Sequence, residues 1–273
     1  LRGDDHLSNT PKQIILYQAL GFELPLFGHL SMILGEDGSR LSKRHGATSV
    51  EEFREKGYLP AALTNFLALL GWSPPDRETS ENPELLTMEE LISFFSLDRV
   101  SKTAAILNRE KLDWMNGVYL RALSDEEIIE LVPELKRSHF FKDDADMVHR
   151  YISATRDYYH FLGDVIARID DFSLWVINKE LLTPFKTSAH ILLAENFLTL
   201  TAEKDSLSTN DAGGLFKELS KRTELKGKDL YHPIRYMLSG KEEGPELIHF
   251  LTVLPLKEIR SRIQNSLEFL RES

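Results

Sequence analysis

Apolar positions along the chain recur at helical spacing far more often than in alternation. Leu63, Phe66, Leu67 and Leu70 fall at i, i+3, i+4 and i+7 between Pro60 and Gly71, so the spacing predicts a helix opened by the proline and closed before the glycine. Thr10 as cap and Pro11 as first residue predict another helix, running through Leu20 and stopping at Gly21. Ser49 with Glu52, Thr87 with Glu90 and Ser124 with Glu127 have the S/T-x-x-E form of a capping box, each just ahead of apolar periodicity. From about Asp144 to Ile166, the residues Met147, Val148, Tyr151, Ile152, Thr155, Tyr159, Leu162 and Ile166 form one stripe, and Ile259, Ile263, Leu267 and Leu270 form another near the C-terminus. No segment after residue 40 alternates convincingly, and the stretches 73–83 and 206–214 read as loops. The expected architecture is a short α/β segment followed by about 200 residues of packed helices.

With 273 residues, 42% hydrophobic, the chain can bury a substantial core and has room for about two domains. Its 43 acidic and 33 basic side chains leave a net charge of -10, so an RNA partner has to be held on a local basic patch rather than over the whole surface. Absence of cysteine excludes disulfides, thiolate zinc sites and a cysteine nucleophile, and fits a cytosolic setting. No apolar run approaches the roughly 18 residues that span a bilayer, so no membrane association is expected. His139, His149, His160, His190 and His249 lack metal-ligand spacing and read as satisfied core or surface residues, while Trp114 and Trp175 read as core. The acid pairs Asp143-Asp144 and Asp170-Asp171 suit helix starts. The opening Leu1-Arg2-Gly3-Asp4-Asp5-His6 reads as the end of a strand that begins elsewhere, which suggests the C-terminal portion of a longer protein; a trimmed leader is the alternative.

The chemistry concentrates between Gly35 and Gly46, where Arg40, Lys43 and Arg44 alternate with the hydroxyls of Ser39 and Ser42 in a glycine-bounded loop. Cations so placed can neutralise the charge that grows on a departing phosphate. A solvated basic turn is the plain alternative.

Arg40-Leu41-Ser42-Lys43-Arg44 resembles the second signature of class I aminoacyl-tRNA synthetases, K-M-S-K-S, in the form used by glutamyl-tRNA synthetases. Arg2-Gly3-Asp4-Asp5-His6-Leu7-Ser8-Asn9-Thr10-Pro11 upstream resembles the same family, as do Arg44-His45-Gly46-Ala47-Thr48-Ser49-Val50, Leu69-Leu70-Gly71-Trp72-Ser73 and Lys111-Leu112-Asp113-Trp114-Met115-Asn116-Gly117 downstream. The resemblance implies a mainly α chain in three parts: residues 1–38 as an α/β remnant of the class I nucleotide-binding domain, 39–123 as signature loop and stem-contact region, and 124–273 as an all-helical anticodon-binding domain.

It also implies an activity, in which glutamate is joined to ATP and the glutamyl group passes to the 3′ end of tRNA(Glu). On that resemblance Lys43 is the catalytic phosphate-binding residue; Arg40, Ser42, Met32 and Ile33 complete the ATP site, the last two through backbone groups, with ordinary core packing as their equal alternative. Arg2 pairs with a glutamate carboxylate, His6 lines the amino-acid pocket, and Arg235, Pro245 and Leu247 read the anticodon. ATP with Mg2+ is expected and structural zinc is not; the partners are tRNA(Glu), glutamate and ATP, the protein being cytoplasmic and monomeric. Three departures stand out. Arg40 replaces the usual leading lysine, the family's tRNA-discriminating arginine falls on Tyr158 with Arg156 two residues earlier, and no H-x-G-H first signature occurs anywhere in the 273 residues. The chain alone is therefore expected to be inactive. A non-catalytic tRNA-binding or scaffolding module is the other reading; a glutaminyl enzyme fits the helix-rich end poorly, and the length after residue 120 excludes the short paralogue that lacks an anticodon domain.

Overall fold

The computed structural model describes residues 1–42, 44, 49–76, 82–141 and 144–272. Two compact units appear: residues 1–122 with 160–162, and residues 123–159 with 163–272. The first two segments expected from the sequence thus fall within one unit.

The first unit holds two parallel strand pairs, β1 (Arg2–Gly3) on β2 (His29–Leu30) and β3 (Ile33–Leu34) on β4 (Ala105–Ile106). Its helices are α1 (Thr10–Ala19), α2 (Val50–Glu55), α3 (Pro60–Leu69), α4 (Met88–Phe94) and α5 (Arg109–Ala122). Ser49 and Thr87 form the capping boxes of α2 and α4, Pro60 opens α3, and Gly21 and Gly71 follow α1 and α3 with positive φ. Phe53, Tyr58, Leu63, Phe66, Leu107, Leu112 and Met115 form the core, and Ile33 before the cationic loop and Leu41 within it pack against it. The start of the loop is therefore anchored on the core at Ile33 and again at Leu41. The buried Asn116 amide accepts from the Leu59 N–H at 2.8 Å and donates to the His160 carbonyl at 2.6 Å, which draws residues 160–162 into this unit.

The second unit has helices and no strand among its described residues: α6 (Asp125–Leu131), α7 (Glu134–Arg137), α8 (Ala145–Thr155), α9 (Asp164–Ala167), α10 (Ile169–Ser173), α11 (Lys179–Leu182), α12 (Ser188–Thr201), α13 (Thr209–Thr223), α14 (Lys228–Ser239), α15 (Leu247–Val253) and α16 (Leu256–Arg271). Ser124 supplies the capping box of α6, and Asp144 caps α8. Ile259, Ile263, Leu267 and Leu270 are all buried on α16, which packs on α12 and α14. The buried Arg262 of α16 clasps this assembly, its guanidinium donating to the carbonyls of Leu238 at 2.7 Å and Phe172 at 2.6 Å and to Glu258 at 3.0 Å.

The structure corrects several expectations. The stripe from Asp144 to Ile166 is not one helix: α8 ends at Thr155, whose hydroxyl bonds back to the Tyr151 carbonyl and to the Tyr159 hydroxyl, and residues 156–158 tighten into a 3₁₀ turn. The expected loop 206–214 ends at Ser208, because Asp211 completes a capping box with it and Ala212, Leu215, Phe216 and Leu219 bury one face of α13. Thr10 lies inside α1 and its hydroxyl serves Arg2 rather than capping. Strand β4 occurs after residue 40, too short at two residues to alternate. Trp114, 41% exposed, and Trp175, half-buried with its indole N–H on the Met237 carbonyl at 2.9 Å, are not core.

Helix α14 contains Pro233, which has no N–H to give the Asp229 carbonyl one turn back. His190, 8% exposed, makes up the loss: its Nε2 lies 3.2 Å from that carbonyl while Nδ1 lies 2.7 Å from the Thr187 hydroxyl. At the other end of α14, Gly240 has φ +69° and a Cβ there would lie 2.3 Å from the Val176 carbonyl oxygen, so only glycine fits.

Candidate functional site

In the first unit the guanidinium of Arg2 is held from three sides. Nε donates to Nε2 of His29 at 3.2 Å, and the two terminal nitrogens donate to Gln13 Oε1 and Thr10 Oγ1, both at 2.5 Å. For Nε2 to accept, His29 must carry its proton on Nδ1. Phe27 lies 5.4 Å under the guanidinium carbon. All three hydrogen-bond partners are neutral, and among the described residues no carboxylate reaches Arg2, so an oriented cation with two remaining N–H donors is presented without a counter-charge. Gln13 and His29 were not singled out in the sequence and Thr10 only as a cap; their function here exists only once β1, β2 and α1 converge.

The predicted neighbours assemble partly around it. His6 is exposed nearby in sequence, its Nδ1 3.4 Å from Asn9. Gly3 is crowded: a Cβ would lie 2.6 Å from Asp5 Oδ1 and 4.0 Å from the Met32 sulfur, which places Met32 beside β1. Ile33 is different. Its half-buried side chain packs against the core and its carbonyl accepts from the Leu41 N–H at 3.3 Å.

In the cationic loop, the Gly35 N–H bonds to the Ser39 carbonyl at 2.8 Å, and Asp37 accepts from the Ser39 N–H and hydroxyl. Arg44 donates to the Ser39 hydroxyl at 2.6 Å, and Arg40 forms an exposed ion pair with Asp5 at 3.6 Å, a contact of at most about 1 kcal/mol. Arg40 and Ser42 are exposed, within reach of an incoming ligand. Lys43, the catalytic candidate, lies outside the described residues.

In the second unit, α13, α14 and α15 enclose a groove of about 900 Å³ lined by Lys217, Lys226, Tyr231, Arg235 and Leu247 among others. Arg235 is anchored rather than free in solvent. It is half-buried and donates to the Pro245 carbonyl at 3.0 Å, so the turn before α15 aims it along the groove. Pro245 and Leu247 are themselves buried. Arg156 is engaged by the Leu123 carbonyl and Asp125, and Tyr158 lies under Arg168 at 4.4 Å; neither lines the groove.

One unit thus carries an oriented cation without a counter-charge among the described residues and a basic loop, and the second unit carries a cationic groove. Residues 1–114 match the family described as tRNA synthetases class I (E and Q), catalytic domain, and residues 107–267 match an anticodon binding domain. Glutamate–tRNA ligase 1 of Fervidobacterium nodosum is 45% identical over 265 residues, covering 96% of this chain and 54% of that protein. Glutamate–tRNA ligase of Aquifex aeolicus is 39% identical, covering 99% and 57%. The crystal structure of a glutamate tRNA ligase from Elizabethkingia meningosepticum in complex with its amino acid superposes with a TM-score of 0.80 at 26% identity, over 99% of this chain and 57% of that one. The chain belongs to the glutamyl-tRNA synthetase family and spans just over half the length of these relatives.

Proposed function

We propose that the chain supplies the second signature loop and the anticodon-binding unit of a glutamate–tRNA ligase. In that reaction a glutamate carboxylate attacks the α-phosphate of ATP, presented with Mg2+, and pyrophosphate leaves; a ribose hydroxyl of the terminal adenosine then takes the glutamyl group and AMP leaves. The observation that supports this best is Arg2, held by three neutral partners at 2.5–3.2 Å with no carboxylate against it among the described residues. Such a fork favours a bidentate carboxylate ligand. His6 lines the glutamate pocket, Met32 and Ile33 offer backbone groups to the adenine, Arg40, Ser42 and Lys43 bind the ATP phosphates, and Arg235 with Pro245 and Leu247 receives the anticodon. The protein acts as a cytoplasmic monomer.

The test is tRNA-dependent, glutamate-dependent pyrophosphate exchange. The chain alone gives none, because H-x-G-H is absent from it; exchange appears when a polypeptide carrying the H-x-G-H half is supplied. Arg2→Gln then raises the KM for glutamate and leaves tRNA affinity unchanged. Exchange by the chain alone refutes the assignment of roles, and tRNA binding without exchange in the supplemented system establishes the non-catalytic module instead.

A further inference from the structure

The groove between α13, α14 and α15 carries an aromatic pair that no motif flagged. Tyr231 is 45% exposed, among the most exposed aromatic side chains of the second unit, while its neighbours Leu230 and Ile234 are buried. Phe216, only 7% exposed, stands behind it from α13 with ring centroids 5.3 Å apart and planes at 48°. Tyr231 is thus braced from behind and open in front, and its hydroxyl has no hydrogen-bond partner among the described residues. Burial of the ring would have been easy on so amphipathic a helix; an exposed ring braced in a groove is what a stacking surface requires.

The charges beside it fit the same occupant. Lys217 and Lys226 line the groove with Tyr231 and form no ion pair among the described residues, against the single acid Glu246. On a chain of net charge -10, a cationic groove is a local choice of polyanion. Tyr231 and Arg235 are four residues apart on one face of α14, about 6 Å along the axis. Stacked bases lie closer than that, so two residues at this spacing meet consecutive nucleotides only where the strand is unstacked, as in an RNA loop.

We infer that Tyr231, backed by Phe216, is a stacking platform for an unpaired anticodon-loop base next to the one Arg235 meets, with Lys217 and Lys226 on flanking phosphates. The inference rests on the anticodon-binding role proposed above and adds a positioning residue to it.

Fluorescence anisotropy with the full chain and a tRNA(Glu) transcript tests it, across a salt series. Tyr231→Ala weakens binding roughly 5- to 150-fold, the range for one stacked base, with the salt slope unchanged, and Tyr231→Phe binds like the parent. Lys217→Ala and Lys226→Ala each lower the salt slope by about 0.7 and weaken all anticodon variants alike. Transcripts with one loop nucleotide made abasic complete the cycle: at one position, and only there, the Tyr231→Ala penalty vanishes. Binding by Tyr231→Ala equal to the parent, or a penalty that survives every abasic substitution, overturns the stacking role while Arg235-dependent anticodon preference leaves the broader reading standing. No tRNA binding by the parent chain at low salt overturns both.

Discussion

Replacing His190 by Phe tests whether α14 depends on a borrowed donor. The ring is 8% exposed, packs edge-on against Phe185 at 4.9 Å and faces the Asp229 carbonyl that Pro233 leaves unpaired. Phenylalanine keeps the packing and removes both nitrogens. Loss of one neutral hydrogen bond to a partly buried carbonyl, together with that to Thr187, sets the cost at about 1–3 kcal/mol. Pro233→Ala restores an N–H aimed at the same carbonyl through the ordinary i to i−4 helix bond. In that background His190→Phe costs less, by a coupling of about 1 kcal/mol. Pulsed hydrogen exchange along a urea series, read on peptides covering α14, reports the stability of this unit without interference from the other. Strictly additive effects of the two substitutions would refute the account, since His190 would then contribute by packing alone.

Other perturbations separate site from scaffold. Arg235→Ala costs the second unit only about 1 kcal/mol, the worth of its bond to the Pro245 carbonyl, but relaxes preference at the third anticodon base by roughly 1–3 kcal/mol; binding of anticodon variants measures the second and denaturant titration the first. In the assembled synthetase, Lys43→Ala slows adenylation by about two orders of magnitude and leaves tRNA affinity unchanged, as single-turnover kinetics would show. His249 is held below its ordinary pKa, chiefly by burial and against the pull of Glu246 and Asp157, and its Nδ1 is buried with no partner among the described residues. The unfolded chain therefore takes up the proton first as pH falls, so this contribution is intact above about pH 6.5 and is lost below it. Thermal melts from pH 7.5 to 5 show a steeper acid decline for the parent than for His249→Asn.

Local signals proved legible where local chemistry decides. Three S/T-x-x-E boxes, Pro60, Asp144 and the two glycines after α1 and α3 all sit where their backbone preferences place them. What escaped depends on partners distant in the chain. Thr10 has the chemistry of a cap, yet a guanidinium eight residues upstream claims its hydroxyl. The apolar stripe through Ile166 keeps helical spacing across a real break, because Thr155 and Tyr159 satisfy each other and Asn116 takes the His160 carbonyl. At the site the same division holds. Arg2, Arg235 and the loop cations stand out as residue types in motifs, whereas Gln13, His29, Phe216 and Tyr231 acquire meaning only from what folding brings beside them.

Charge distribution yields one more consequence for the groove. The whole chain carries -10 and repels RNA, while Lys217, Lys226 and Arg235 attract it at contact range. Salt weakens both, but not equally. At about 0.15 M the screening length is roughly 8 Å, so the diffuse repulsion from acids elsewhere fades before the contacts within the groove do. Each phosphate neutralised on a single strand adds about 0.7 to the salt slope, and relief of the repulsion subtracts from it. The slope measured for tRNA should therefore lie below what the three groove cations give alone, and flatten further towards low salt, where repulsion reaches farthest. A slope steeper than that value would place basic residues outside the groove, such as Lys221 or Lys228, on the RNA as well.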